Sequence, residues 1–172
     1  MVPPRRGACV SLKLRLTVMN FLQFFVWGAW LITLGRYWFE NRGWSGTSFG
    51  AIFSTMGISA LFMPSLMGIV ADRWINAEKL YGALHILGGV LLCMLPMAND
   101  PNQFFWLILA TMLCYMPTIS LAITVAYNAL KEQGLDVVRD YPPIRVWGTV
   151  GFIAALWTTS LLGLEKSPGQ FY

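Results

Sequence analysis

Charged side chains interrupt this chain in clusters, and the stretches between the clusters are apolar. Leu16 to Gly35 runs 20 residues without a charge, Gly43 to Ala71 runs 29, and Leu80 to Asn99 another 20 with His85 inside. Pro101 to Leu130 adds 30, and Val146 to Leu164 adds 19. At 1.5 Å rise per residue, about 20 mainly apolar residues cross roughly 30 Å of hydrocarbon as a helix. The pattern predicts an all-α integral membrane protein with five spans, at about 14–36, 46–71, 80–98, 103–130 and 144–164. Residues 1–13 are then an N-terminal tail, and residues 165–172 a truncated tail on the opposite side. Barrel strands would need about ten residues of alternating polarity, which these continuous runs do not show. The first run is also too long for the 7–15-residue core of a secretory signal.

Composition narrows the class further. Only 12% of the 172 residues are charged, 56% are hydrophobic, and the mean hydropathy is +0.58. A soluble domain carries about 25% charged residues, so no such domain is concealed here. Lys and Arg fall nine to one set of alternate segments and three to the other. The excess includes Arg5, Arg6, Lys13 and Arg15, which predicts a cytoplasmic N-terminus and places Tyr172 outside. The net charge of +4 follows from this asymmetry and gives no case for nucleic-acid binding. Cys9, Cys93 and Cys114 have no metal-ligand spacing, and nothing indicates a cofactor. A lone His85 and the lack of any mid-span carboxylate argue against a membrane-embedded enzyme.

Polar residues and prolines inside the runs carry the remaining information. Asn20, Gln23, Trp27 and Trp30 recur at steps of three and four and share one helical face. That stripe suits either the wall of an aqueous cavity or hydrogen bonding to a neighbouring helix. Tyr115, Thr118 and Ala122 form a second, mildly polar face in the fourth span. Pro64 and Pro117 each remove a backbone donor and are expected to kink their helices. Asn99-Asp100-Pro101-Asn102 is a tight turn signal that makes spans three and four neighbours. His85 reads as a packing or interface residue.

Two segments carry more than a plain loop would. Gly68-Ile-Val-Ala-Asp72-Arg73 closes the second span. It resembles the loop signature of the major facilitator superfamily, which implies helix contact at Gly68 and an acid, Asp72, that pairs with a cation and holds one conformation closed, making Gly68, Asp72 and Arg73 a conformational gate. An ordinary charged interfacial turn fits the same residues. The second segment, Asp140-Tyr-Pro-Pro-Ile-Arg145-Val-Trp-Gly-Thr149-Val-Gly-Phe152, opens the fifth span. Pro142 and Pro143 suit the approach to a helix and its first turn. Arg145, Thr149 and Phe152 then fall at i, i+4 and i+7, along roughly 10 Å of one face. A donor fork, a hydroxyl and an aromatic plate so arranged can grip a flat polar ring and its hydroxyls. A positive-inside arginine on a helix of small packing residues is the alternative.

Four strings together resemble one family within that superfamily. They are Phe21-Leu-Gln-Phe-Phe-Val-Trp27-Gly-Ala-Trp30, Met63-Pro64-Ser-Leu-Met-Gly68-Ile-Val-Ala-Asp72, Tyr115-Met-Pro117-Thr118 and Pro142-Pro-Ile-Arg145-Val-Trp147-Gly148-Thr149. The family is that of the bacterial nucleoside:proton symporters, and the similarity extends from about Ser11 to Gly163. It implies a twelve-helix transporter of two six-helix halves, each built from three-helix inverted repeats. It also implies nucleosides as substrate, protons as coupling ion and a multi-pass location in the bacterial inner membrane. Arg145, Thr149 and Phe152 match positions implicated in nucleoside binding. Gln23, Trp27, Tyr115 and Thr118 are candidate cavity-lining residues.

Five spans make most of an N-terminal six-helix half, so the resemblance implies that the C-terminal half, with the proton-coupling acids, is missing. The chain alone is then expected not to transport. The alternatives are a major facilitator carrier of another polar solute, such as a sugar, and a non-transporting five-span membrane subunit.

Overall fold

The computed structural model describes residues 6–172, with side chains from residue 10 onward. Five long helices follow one another: α1 (Arg6–Trp30), α3 (Gly46–Arg73), α4 (Ala77–Met94), α5 (Pro101–Glu132) and α6 (Val137–Leu161). Between α1 and α3 lie a short α2 (Leu34–Arg36) and a π-helical turn, Tyr37–Asn41, which prolong the first span. α1, α3, α4 and α5 are long and apolar enough to cross a membrane. α6, at 25 residues, has the length but carries Arg139, Asp140 and Arg145 near its start.

Local chemistry sets the boundaries. Asp100 Oδ1 accepts the N–H groups of Asn102 and Gln103 at 2.9 Å, and Pro101 occupies the first turn of α5, where a missing donor costs nothing. α5 ends in a left-handed Gly134 (φ +68°). Gly134 N donates to Lys131 O and Leu135 N to Leu130 O, which satisfies carbonyls that the helix end leaves free. The chain then turns directly into α6, capped by Asp136 on the Val138 N–H.

The spans pack in two groups. α5 is the most buried helix and lies between α3 and α4, while α1 pairs along its length with α6. Span one thus pairs with span five, and span two with span four. Exchanging one three-helix repeat for the other maps the first pair onto the second, the relation an inverted repeat requires. Leu61, Ile86, Val90, Trp106 and Trp157 are exposed on outer faces, as helices bathed in acyl chains require.

Three segments take a form that the periodicity leaves open. The N-terminal tail expected over 1–13 is already helical from Arg6, while residues 1–5 lie outside the described residues. Pro142 and Pro143 are the sixth and seventh residues of α6 rather than its start. The bonds they forgo would have gone to the carbonyls of Val138 and Arg139, residues exposed at the helix end. Residues 165–172 do not trail away. They form two 3-10 turns that return to the bundle, burying Phe171 against Tyr37 and Phe104. Gln170 Oε1 accepts a 2.6 Å hydrogen bond from the Thr33 hydroxyl.

Candidate functional site

The site is built where α6 crosses α1. Tyr141, Ile144, Gly148, Gly151, Ala155 and Thr159 are buried at steps of three and four and form the face of α6 turned to its neighbours. A side chain at Gly151 would run into the backbone carbonyl of Phe21. A Cβ on Gly28 would lie 2.7 Å from the carbonyl oxygen of Phe152. Small residues on both helices allow this approach, and the Thr159 hydroxyl closes it by donating to Ala29 O at 3.1 Å. At the Lys13 end, Lys13 Nζ reaches Asp140 Oδ1 at 2.8 Å.

The adjoining face of α6 carries Arg145, Thr149 and Phe152. Arg145 is half-buried, and its guanidinium carbon lies 4.1 Å from the centre of the Phe24 ring on α1. Such a contact is worth about 0.5–2 kcal/mol, more as water is removed. Gly148 leaves the space that both groups occupy: a Cβ there would lie 2.6 Å from Phe24 Cδ2 and 2.8 Å from Arg145 Nη1. Among the described residues the guanidinium makes no hydrogen bond or ion pair, so its donors are uncommitted. Thr149 is exposed and its hydroxyl makes no hydrogen bond with the described residues. By contrast, Thr111, Thr124 and Thr158 each donate to the carbonyl one turn back.

An open hollow bounded by Tyr141, Pro142, Arg145, Val146 and Thr149 marks this place. Farther along, Phe152 meets Trp27 edge to face with ring centres 6.3 Å apart. Trp27 also contacts Tyr115 (5.8 Å) and Phe24 (6.2 Å), giving an aromatic wall shared by α1, α5 and α6. The Trp27 indole N–H is buried in that wall without a partner among the described residues. The arrangement therefore offers donors, a free hydroxyl and aromatic surfaces along one line, which is chemistry for holding a polar ring system rather than for breaking bonds.

The stripe on α1 divides on inspection. Gln23 is 1% exposed and does not face open water. Its Nε2 donates to Thr118 Oγ1 at 2.9 Å, its Oε1 accepts from the Tyr81 hydroxyl at 2.9 Å, and the Tyr115 hydroxyl donates to its backbone carbonyl. Of the two readings of the stripe, hydrogen bonding between helices describes Gln23 and Thr118. A small internal cavity of about 120 Å³, apolar in its lining, does touch Tyr115 and Thr118, together with Trp30 and His85. His85 Nδ1 lies 3.0 Å from Tyr81 O and its ring packs on Tyr81, as a packing role requires.

The second-span signature is open in this chain. Nothing lies within 4 Å of a Cβ built on Gly68, and Asp72 and Arg73 are exposed with no ion pair among the described residues. The helix contact and charge pair expected there are not made by the described residues. Sequence reasoning also passed over Phe24 and Tyr81. The signal for Phe24 was present, since it lies four residues after Asn20 and three before Trp27, on the polar face. A phenylalanine within an apolar run simply carries no polarity to flag it.

Comparison with known proteins fixes the class. The chain matches the family described as Nucleoside H+ symporter over residues 10–172, and it belongs to that family. It is 47% identical over 163 residues to nucleoside permease NupG of Escherichia coli (strain K12), covering 95% of this chain and 39% of that protein. It is 45% identical over 163 residues to the xanthosine permease of the same organism, with the same coverage. Two crystal structures of the nucleoside transporter NupG, one of a mutant, superpose with TM-scores of 0.92 and 0.91 at 47% identity, covering 94% of this chain and 40% of theirs. The chain thus forms five transmembrane helices of the N-terminal six-helix half of a major facilitator fold, and spans about two-fifths of the length of these relatives.

Proposed function

We propose that these five helices serve a secondary transporter that imports nucleosides by proton symport across the bacterial inner membrane. The observation that carries the reading is the α6 face, where Arg145 and Thr149 hold uncommitted hydrogen-bonding groups beside the ring of Phe152. In this reading Arg145 binds ribose hydroxyls or a base acceptor, Thr149 adds a hydrogen bond, and Phe152 packs on the nucleoside. The role is transport rather than catalysis.

The excess of Lys and Arg at the Lys13 end supports a cytoplasmic N-terminus. The gate reading of Gly68, Asp72 and Arg73 is retained with a partner outside the described residues, supplied by a second six-helix half. Proton coupling falls to acids of that half, because Asp72, Asp136 and Asp140 all lie at the ends of helices.

The test replaces the matching segment of nucleoside permease NupG with residues 10–172 and follows uptake of labelled uridine and adenosine in cells lacking their own nucleoside carriers. Uptake that is competed by nucleosides and not by sugars, and that is lost with Arg145→Ala at equal expression, is the expected result. Normal uptake by the Arg145→Ala chimera would remove Arg145 from the binding site, and competition by sugars would reassign the substrate.

A further inference from the structure

A guanidinium near the end of a membrane helix has an alternative to any binding site, because its long side chain can snorkel to the headgroups. Something must turn it inward if it is to meet a solute. Resting on the reading that Arg145 touches the substrate, we propose that Phe24 is the positioning residue for it. The Phe24 ring on α1 and the bare backbone of Gly148 on α6 together form a seat that holds the Arg145 guanidinium at the α1–α6 crossing.

Three observations support the seat. The guanidinium carbon stands 4.1 Å from the ring centre, within the range in which an aromatic face attracts a cation. The guanidinium has this ring contact and no hydrogen bond or ion pair among the described residues, so its orientation is not set by a carboxylate. Gly148 is buried, and a Cβ there would sit 2.6 Å from the ring and 2.8 Å from Nη1, so the pair fits only because that side chain is missing. A ring face takes up charge without taking up N–H donors, which leaves the fork free for a ligand. An acid in the same place would consume the donors and neutralise the group.

The seat has a second consequence, because its two walls belong to different helices. Phe24 is held in register by Trp27, one turn on, which itself meets Phe152. A shift of α1 against α6 therefore moves the seat and the aromatic wall together.

The experiment uses the chimera carrying residues 10–172, with thermal unfolding of the purified 172-residue chain as the folding control. Phe24→Leu is expected to raise KM for uridine by about three- to thirty-fold with little change in maximal rate, and Phe24→Tyr or Phe24→Trp to restore it. Fluorinated phenylalanines carried at position 24 keep the shape and weaken the negative ring face, so KM should rise stepwise with fluorine number. They also serve if Phe24→Leu does not accumulate. Loss of uptake with Arg145→Ala, together with a fluorine series that leaves KM flat, would overturn the positioning role alone. Normal uptake with Arg145→Ala would overturn the binding reading on which it rests.

Discussion

Gln23 Nε2 on α1 donates to Thr118 Oγ1 on α5, while Gln23 Oε1 accepts from the Tyr81 hydroxyl on α4. One amide therefore joins three helices; Gln23 and Thr118 are almost fully buried and Tyr81 is half-buried. Gln23→Leu keeps the volume and removes both bonds, leaving the Tyr81 hydroxyl without its acceptor. Thr118 still donates to Tyr115 O, which limits the loss. We expect a destabilisation of about 1–2 kcal/mol, and roughly half that for Tyr81→Phe. Thermal unfolding of the purified chain in detergent measures both.

The α1–α6 crossing depends on absent side chains. Gly151→Val drives a branched side chain into the Phe21 backbone, which cannot move as a flexible side-chain tip would. The expected cost is about 1–3 kcal/mol, read as a lower melting temperature and poorer yield. Gly89→Ala is the comparison, since nothing lies within 4 Å of a Cβ there, and it should be close to neutral. Equal effects from the two substitutions would show that the crossing tolerates separation.

At the other end of the bundle, Arg36 pairs with Glu40 and Glu165, and Lys166 pairs with Glu40. The Ser160 hydroxyl, and then Arg36, hold the Glu165 carboxyl below its ordinary value. The folded value is depressed, so the stabilisation is complete above the ordinary carboxylate value and fades as pH falls through the lowered one. Melting temperature should therefore drop on acidification below about pH 4.5, the ordinary value from which it is lowered. Glu165→Gln should flatten that drop. Arg36 is exposed, so the effect is small and salt should reduce it further.

Thr149→Val tests the free hydroxyl. With no partner to lose among the described residues, the substitution should leave the melting temperature of the chain nearly unchanged. In the chimera it should raise KM for nucleosides by about 3- to 15-fold, the worth of one hydrogen bond. A change in stability without a change in KM would place the hydroxyl in the packing rather than in the site.

Much of this molecule is legible along the chain. Five apolar runs separated by charges give five helices because crossing the hydrocarbon is a requirement on length and polarity, met residue by residue within each segment. The turn at Asn99–Asn102 and the cap at Asp100 are equally local, since Asp100 bonds to residues two and three positions on. Even the spacing of Arg145, Thr149 and Phe152 on one face follows from helical periodicity alone.

What periodicity does not supply is the partner across the interface. Gln23 meets Thr118 95 residues away, Lys13 meets Asp140 at a separation of 127, and Thr33 meets Gln170 at 137. A polar face on one helix is compatible with a cavity or with a neighbour until the neighbour is placed, and for Gln23 the tertiary structure chose the neighbour. It likewise turned residues 165–172 back onto Tyr37, where burying Phe171 outweighs leaving the segment in water. The seat of Arg145 belongs to this second kind, because it needs a ring from α1, a missing side chain on α6, and the crossing that brings them together.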